Sequence, residues 1–179
     1  MEQLKQTLSK KIEEHRPRTR RLVKDFGDVK IDDVEISQVI GGMRGIKCLV
    51  TDISYLDPHD GIQFRGNSVD EVLEKLPKHE DAEMPYVEGQ LYLLLTGDIP
   101  EEEDVREIRD ELKKRRQVPD YVYDLLESMP DDTHPMTMFS QAILAMQNEA
   151  RFPDAYHSSD VSRDEYWEVM LEDVLDLMA

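Results

Sequence analysis

The stretch PMTMFSQAILAMQNEA, residues 135–150, indicates a helix that is apolar around most of its circumference. Its first residue, Pro135, has the fixed φ that suits the start of a helix. The large apolar residues are Met136, Met138, Phe139, Ile143, Leu144 and Met146, and the small residues Ser140, Ala142 and Ala145 lie between them. A helix with so little polar surface is stable when protein covers it on more than one side. The simpler alternative is an ordinary core helix.

Signals for helix ends recur on both sides of this stretch. Helix starts are indicated by a capping box or a proline at Ser68 with Glu71, Pro85, Pro100, Pro119, and Ser162 with Glu165. Gly97 supplies the left-handed conformation that commonly ends a helix. Near the N-terminus, Leu4, Leu8 and Ile12 recur every four residues, which predicts a short amphipathic helix before Pro17. Most of the chain is therefore predicted to be helical.

A small antiparallel hairpin is predicted in the N-terminal third. Residues 29–40 have a strand-like alternation, and residues 46–53 are rich in residues that favour strands. Residues 57–61, DPHDG, have turn chemistry because proline fixes φ and glycine accepts a positive φ. Ile62 and Phe64 then alternate with polar neighbours. The predicted fold class is mainly α and multi-helical, with a small N-terminal β-hairpin.

The charge balance argues against several classes of protein. With 22 basic and 40 acidic residues, the net charge is −18. Nucleic acid is not expected as a partner, because phosphate binding needs a basic surface. No apolar stretch approaches the roughly 18 residues of a membrane-spanning helix, and residues 1–15 lack the apolar core of a signal peptide. The single cysteine, Cys48, fits a reducing compartment, so a cytoplasmic location is expected.

Motifs for metal binding or nucleophilic catalysis are missing from the sequence. The five histidines are scattered without a His-x-x-x-His pair, and Cys48 stands alone, so no metal site is expected. There is no Gly-x-Ser-x-Gly motif. Carboxylates are so numerous that no pair of them is informative. No residue is therefore assigned a catalytic role.

The glycine-rich segment GGMRG, residues 41–45, has two interpretations. It is neither a Walker loop nor a dinucleotide-binding motif, because the spacing and the following helix are both missing. The first interpretation is a tight bend. The second is an anion site in which Arg44 presents a planar guanidinium to a phosphate.

The longer segment IGGMRGIK, residues 40–47, resembles the opening signature of the eukaryotic-type citrate synthases. Further matches follow in the same order: LDP (56–58), GI (61–62), FRG (64–66), LLTGDIP (94–100), THPM (133–136) and EYWE (165–168). The resemblance is collinear over residues 29–179, which we treat as one citrate-synthase-like helical region. Residues 1–28, a helix followed by a basic connector, match weakly. The chain thus resembles the N-terminal portion of this family, with the C-terminal catalytic portion missing.

This resemblance implies a nearly all-helical homodimer that condenses acetyl-CoA with oxaloacetate to give citrate and CoA. Acetyl-CoA is then a substrate, and no cofactor or metal is implied. The family's two catalytic histidines and its aspartate would lie after Ala179, together with the residues that hold oxaloacetate. The chain alone is therefore expected to be inactive, and His134 is interpreted as structural.

Two site residues carry over by resemblance. Arg44 matches an arginine that contacts the phosphates of CoA, and Arg163 matches a second arginine that reaches the CoA bound mainly by the neighbouring subunit. The resemblance also assigns the helices near residues 119–129 and 135–150 to the subunit interface. Three departures from the family pattern are noted: Cys48, the segment 84–89, and the stretch 154–162 close to Arg163.

Two other functions are weighed against this one. The chain can instead be a helical interaction module without enzymatic activity, which the apolar stretch 135–150 suggests. It can also be part of a 2-methylcitrate synthase, which takes propionyl-CoA as the acyl donor.

Overall fold

A computed structural model of the chain describes residues 1–47, 49–158 and 160–179. Helices make up 59% of the chain, and the described residues form nine α-helices and one small sheet, which confirms the mainly α fold class. The chain divides into two compact units, residues 1–105 and 106–179. Cys48 lies outside the described residues, so its departure from the family pattern is not addressed by the structure.

The elements follow one another in a simple order. The first unit contains α1 (Glu2–Phe26), α2 (Ile36–Ile40), β1 (Ser54–Asp57), β2 (Gly61–Phe64), β3 (Asn67–Ser68), α3 (Val69–Lys75), α4 (Val87–Thr96) and the start of α5 (Glu102–Arg115). The second unit contains the rest of α5, α6 (Asp120–Glu127), α7 (Pro135–Met146), a 3₁₀ turn (Gln147–Glu149), α8 (Phe152–Ser158) and α9 (Tyr166–Met178). Of the helices described, none is long and apolar enough to span a bilayer.

Helix α1 is anchored near its N-terminus and continues well past Pro17. Leu4 and Leu8 are buried, as their four-residue spacing predicts. The prediction that this helix ends before Pro17 is wrong, because the helix runs to Phe26 with the proline inside it. One proline disrupts the backbone hydrogen bonding of a helix locally, whereas the arginine, leucine and lysine side chains after it favour helix. The basic connector is therefore helical, while the division of the chain at residue 28 stays a prediction.

The sheet contains three antiparallel strands in the order β1-β2-β3, and its first two strands form the predicted hairpin. In the turn between them, the Asp57 carboxylate accepts hydrogen bonds from the backbone N–H groups of His59 at 2.8 Å and Asp60 at 3.0 Å. These two bonds lower the pKa of Asp57. Strands β2 and β3 are joined by Arg65 and Gly66, whose φ angles of 49° and 79° suit a two-residue type I′ turn.

Two segments that were predicted as strands do not form strands. The last residues of the segment 29–40 form the short helix α2, and β1 begins only at Ser54, after the described part of 46–53. A capping box starts α2, in which the Glu35 N–H donates to Gln38 Oε1 at 2.9 Å. A short apolar alternation does not separate strand from helix, and here the local capping bonds decide in favour of helix.

The core of the first unit lies between the sheet and the two helices that follow it. Val72 and Leu76 on the α3 side pack with Leu93 of α4, and Phe64 of β2 lies against this cluster. Leu93 is completely buried. Phe64 is thus one of the side chains that attach the hairpin to the helices.

The predicted ends of α3 and α4 are confirmed. The Ser68 N–H donates to a Glu71 carboxylate oxygen at 2.8 Å, and the Glu71 N–H donates to Ser68 Oγ at 3.3 Å, which completes the capping box. The bond from the Ser68 backbone, followed by the contact with Lys75, lowers the pKa of Glu71 to about 2. Gly97 follows α4 with a φ of 82°, a conformation that costs glycine little.

In the second unit, the Arg115 guanidinium joins α5 to α9. Arg115, at the end of α5, contacts Glu111 at 2.7 Å and two residues of α9, Glu172 at 2.6 Å and Asp176 at 2.8 Å. Burial opposes the charge, but the bonds to the three carboxylates outweigh it and raise the pKa of Arg115. The same contact lowers the pKa of Glu111. On the apolar side of α9, Leu171 and Leu175 are buried.

Helix α7 begins at Pro135 as predicted, and the 3₁₀ turn continues it to Glu149. All of its residues are described and none of them is buried. Met136, Phe139 and Leu144 are 61%, 58% and 67% exposed. The described part of this chain therefore does not cover α7, and the alternative of an ordinary core helix is not supported.

We expect Arg115→Met to lower the free energy of unfolding of the second unit by about 2 kcal/mol. The substitution removes the one cation that contacts all three carboxylates. The figure is below the cost of breaking a fully buried pair because the network is partly exposed and Arg151 still contacts Asp176. Trp167, the single tryptophan, lies in α9 and reports urea unfolding of this unit by fluorescence. Arg116→Met is the matched control, since Arg116 is exposed. Equal unfolding midpoints for the two variants would contradict the role of the network.

Candidate functional site

The backbone around Arg44 is a tight bend. The Gly41 N–H donates to the Ser37 carbonyl at 2.9 Å and the Met43 N–H donates to the Gln38 carbonyl at 2.8 Å, so the chain folds back on the end of α2. Met43 has a φ of 62°, which is uncommon for a residue other than glycine and is found at strained or functional positions. The interpretation of segment 41–45 as a bend is confirmed.

The bend leaves the Arg44 side chain in solvent. Gln38 Nε2 lies 3.4 Å from the Arg44 carbonyl oxygen, which fixes the backbone of the arginine. The Arg44 guanidinium makes no hydrogen bond or ion pair with any residue that the structure describes, and the residue is exposed. All its donors are therefore available for a ligand.

Arg163 lies in a second closed turn, between α8 and α9. The Glu165 N–H donates to the Ser162 carbonyl at 2.9 Å. One carboxylate oxygen of Glu165 accepts from the Ser162 N–H at 3.3 Å and from the Ser162 hydroxyl at 2.8 Å. The Arg163 side chain is exposed and has no polar partner among the residues described.

The predicted capping box at Ser162 and Glu165 is only half formed. Glu165 reaches back to the Ser162 N–H as predicted, but the Ser162 hydroxyl donates to the carboxylate and does not accept from the Glu165 N–H. Helix α9 begins one residue after Glu165, at Tyr166. The pattern S-x-x-E therefore marks a turn here. The hydrogen bond from the Glu165 N–H to the Ser162 carbonyl closes this turn before α9 begins.

The two arginines belong to different units, Arg44 to residues 1–105 and Arg163 to residues 106–179. Each is held by backbone contacts within its own unit. Both present the same chemistry, an exposed planar cation on a fixed turn, which suits bidentate contact with phosphate oxygens.

A third arginine, Arg65, has a role that the sequence did not reveal. Its guanidinium donates to the carbonyl oxygen of Leu94 at 2.7 and 3.1 Å, to that of Leu95 at 3.3 Å and to Asp52 at 3.0 Å. These carbonyls are at the C-terminal end of α4, where backbone acceptors lack helical partners. Arg65 therefore caps a helix whose end lies 29 residues further along the chain. In the sequence, Arg65 is marked only by its place in the motif FRG.

The Arg65 guanidinium also lines a polar cavity of about 520 Å³ in the first unit. Lys11 and His15 of α1 and Asp52 line the same cavity. Lys11 pairs with Asp98 at 2.7 Å and Arg65 pairs with Asp52 at 3.0 Å. Because both strong cations are neutralised by carboxylates, this cavity offers less to an anion than Arg44 or Arg163 does.

In the part of the chain that the structure describes, no group of three or more His, Cys, Asp or Glu side chains is arranged so that it could hold a metal ion. His134 Nδ1 accepts from the Met136 N–H at 3.1 Å and caps α7. The interpretation of His134 as a structural residue is confirmed.

The family described as "Citrate synthase, C-terminal domain" matches residues 42–179. The chain is 40% identical over 175 residues to the peroxisomal citrate synthase of Saccharomyces cerevisiae, with 98% of this chain and 38% of that protein covered. It is 42% identical over 177 residues to the mitochondrial citrate synthase of the same yeast, with 97% and 37% covered. The mitochondrial citrate synthase of Xiphias gladius is 41% identical over 176 residues, with 98% and 37% covered.

These relatives correct the expected location. They are described as mitochondrial or peroxisomal proteins, so the expectation of a cytoplasmic location is wrong. The expectation rested on a single cysteine, which fits any compartment that keeps thiols reduced and does not distinguish among them.

The match to the family covers well over half of the chain, and the chain spans a little more than a third of the length of these relatives. The residues 40–47, 94–100 and 165–168 that carry the resemblance lie in the Arg44 bend, at the end of α4 and at the start of α9. This chain belongs to the citrate synthase family.

Proposed function

We propose that this chain is the N-terminal part of an enzyme that condenses acetyl-CoA with oxaloacetate to give citrate and CoA. In this proposal, Arg44 and Arg163 contact the phosphates of CoA, and acetyl-CoA is a substrate rather than a bound cofactor. Residues 42–179 then form the beginning of the domain that the family describes. The observation that carries the proposal is family membership combined with two exposed guanidinium groups that have no partner among the described residues.

The strong negative charge of the chain does not oppose this binding at short range. CoA is a polyanion and the net charge is −18, but charges farther away than about 8 Å are largely screened at physiological salt. A hydrogen bond between two charged groups contributes about 1.5–3 kcal/mol. The two guanidinium groups therefore contribute more to phosphate binding than the carboxylates that lie beyond this screening length.

The remaining part of the enzyme supplies the chemistry in this proposal. The chain spans 37% to 38% of the relatives named above, and the catalytic histidines and aspartate lie in the other part. The helices α6 and α7 supply a homodimer interface. The hydroxyl of Tyr121 on α6 contacts Glu149 at 3.1 Å and the Ala145 carbonyl at 3.3 Å, so both helices present one joined surface.

The activity is tested by co-expressing the chain with the remaining length of the yeast mitochondrial citrate synthase. We expect the purified complex to release CoA thiol only when acetyl-CoA and oxaloacetate are both present. A folded complex without activity would contradict the proposal. If the activity with propionyl-CoA exceeds the activity with acetyl-CoA, the result would favour the hypothesis of a 2-methylcitrate synthase.

In that complex, we expect Arg44→Ala and Arg163→Ala each to raise the KM for acetyl-CoA about tenfold and to leave kcat within about twofold. Loss of one charge-assisted bond to a phosphate weakens binding of ground state and transition state alike, which changes KM rather than kcat. Arg116→Ala, which removes an exposed guanidinium elsewhere, is the control. An unchanged KM in both site variants would refute the assigned role of the two arginines.

The exposed apolar face of α7 favours a second candidate, a helical interaction module, and also predicts self-association. We expect the chain to be dimeric by sedimentation velocity and Phe139→Glu with Leu144→Glu to make it monomeric, because a charge on the contact face opposes burial. Val87→Glu, at a site that is 77% exposed in the first unit, is the control. A monomeric parent chain would contradict the interface, and a dimer whose complex is inactive would favour the interaction module.

A further inference from the structure

The segment that carries Arg163 is held at both of its ends. It consists of α8, the turn Ser162–Glu165 and α9, and we call it the Arg163 arm. At the end farther from the turn, the Asp173 carboxylate of α9 accepts from the backbone N–H of Arg151 at 2.9 Å and from that of Phe152 at 2.9 Å. These N–H groups are at the start of α8 and lack helical partners. Asp173 therefore fixes the start of α8 against α9.

An aromatic cluster joins the two helices of the arm. The rings of Phe152 on α8 and Tyr166 on α9 meet edge to face, with centroids 5.3 Å apart and planes at 89°. Tyr156 lies 6.2 Å from Tyr166 and 6.1 Å from Phe152. Such pairs add about 0.5–1.5 kcal/mol beyond the burial of their surfaces. Tyr166 directly follows the turn and is the first residue of α9. The aromatic cluster therefore fixes the residue at which the turn meets α9.

Within the turn itself, Glu165 makes two side-chain bonds to Ser162 and one backbone bond. Its carboxylate receives the Ser162 N–H at 3.3 Å and the Ser162 hydroxyl at 2.8 Å, and its own N–H closes the backbone bond of 2.9 Å to the Ser162 carbonyl. Arg163 and Asp164 lie between the two residues that are joined. The bonds of Glu165 to Ser162 therefore restrain the backbone on both sides of Arg163.

The position of Glu165 is unfavourable on charge alone. A carboxylate two residues from a guanidinium weakens the attraction of that guanidinium for an anion. No described residue forms an ion pair with Arg163, so Glu165 does not act by holding the guanidinium directly. Its geometric and electrostatic effects on anion binding thus have opposite signs, and this difference allows them to be separated.

We propose that Glu165 is a positioning residue for Arg163, holding the Ser162–Glu165 turn closed so that the guanidinium is ready for the phosphate of a nucleotide thioester. This proposal rests on the CoA-binding role assigned to Arg163 above. A fixed turn reduces the entropy that is lost when a ligand orders its binding residue, and small displacements of a binding group are costly.

The test uses the complex with the remaining part of the yeast enzyme and compares Glu165→Ala with Glu165→Gln. We expect Glu165→Ala to raise the KM for acetyl-CoA about fivefold with kcat unchanged. Glu165→Gln keeps an oxygen that accepts from Ser162 but loses the charge, so its KM is expected to equal or fall below that of the parent. Glu168→Ala, which removes an exposed carboxylate from the first turn of α9 without touching the turn, is the control.

The alternatives give different results. If only the charge of Glu165 matters, Glu165→Ala and Glu165→Gln both lower KM, and the proposal is overturned. Unchanged KM in both variants overturns it as well. In an Arg163→Ala background, Glu165→Ala is expected to have no further effect, because the group that it positions is missing.

A second measurement on the chain itself separates this proposal from the role of Arg163 in CoA binding. In the parent and in Glu165→Gln, the ¹⁵N order parameter of the Arg163 amide is expected to be near the value of a rigid backbone, about 0.85, and to fall below about 0.6 in Glu165→Ala. Equal order parameters in all three would overturn the positioning role. If Arg163→Ala leaves KM unchanged while the order parameters behave as expected, the CoA-binding role fails and the closure of the turn by Glu165 stands.

Discussion

The second unit depends on the pairing of the Arg115 guanidinium with three carboxylates from two helices. The chain has almost twice as many acidic as basic residues, so helices that pack together bring like charges close. Arg115 lies between Glu111 and the α9 residues Glu172 and Asp176 and is only 14% exposed. Arg151 adds a second cation, 2.9 Å from Asp176. Without these cations, Glu111 of α5 would face Glu172 and Asp176 of α9 as like charges.

Four arginines of this chain form two pairs with different surroundings. Arg115 and Arg65 give their donors to carboxylates and helix-terminal carbonyls, and their side chains are 14% and 15% exposed. Arg44 and Arg163 lie on closed turns and direct their side chains into solvent. In so acidic a chain an exposed guanidinium easily finds a carboxylate. A turn that leaves the guanidinium without an ion pair preserves the free energy that internal pairing would use. In the same way, the exposed Phe139 and Leu144 of α7 leave apolar surface that the described part of the chain does not bury.

The sequence predicts well those features that a few neighbouring residues determine. The capping box of Ser68 and Glu71, the Gly97 helix end and the turn after Asp57 all depend on bonds within four residues, and all are present. The failures occurred where a local pattern allows two structures. Pro17 was compatible with the interior of α1, residues 36–40 became helix, and Ser162 with Glu165 closed a turn rather than a helix start. The contacts of Arg65 with Leu94 were out of reach of any pattern, because they form only after residues 29 positions apart have folded together.

The two candidate site residues, Arg44 and Arg163, are predicted from the family resemblance and not from periodicity or spacing, which predict the fold. The structure adds one local feature beside each. Next to Arg44, Met43 has a strained φ, and in the Arg163 turn a carboxylate lies two residues from a guanidinium for which we propose a role in anion binding. Each of these features is unfavourable for the chain considered alone. Unfavourable local features persist when the surrounding structure or another requirement holds them in place. The two turns have in common an arginine whose backbone is fixed while its side chain stays exposed. A fixed backbone with an exposed cation is the arrangement that lowers the entropic cost of capturing a phosphate. The proposed binding of CoA phosphates therefore accounts together for the strained Met43, for the carboxylate beside Arg163 and for the two unpaired guanidinium groups.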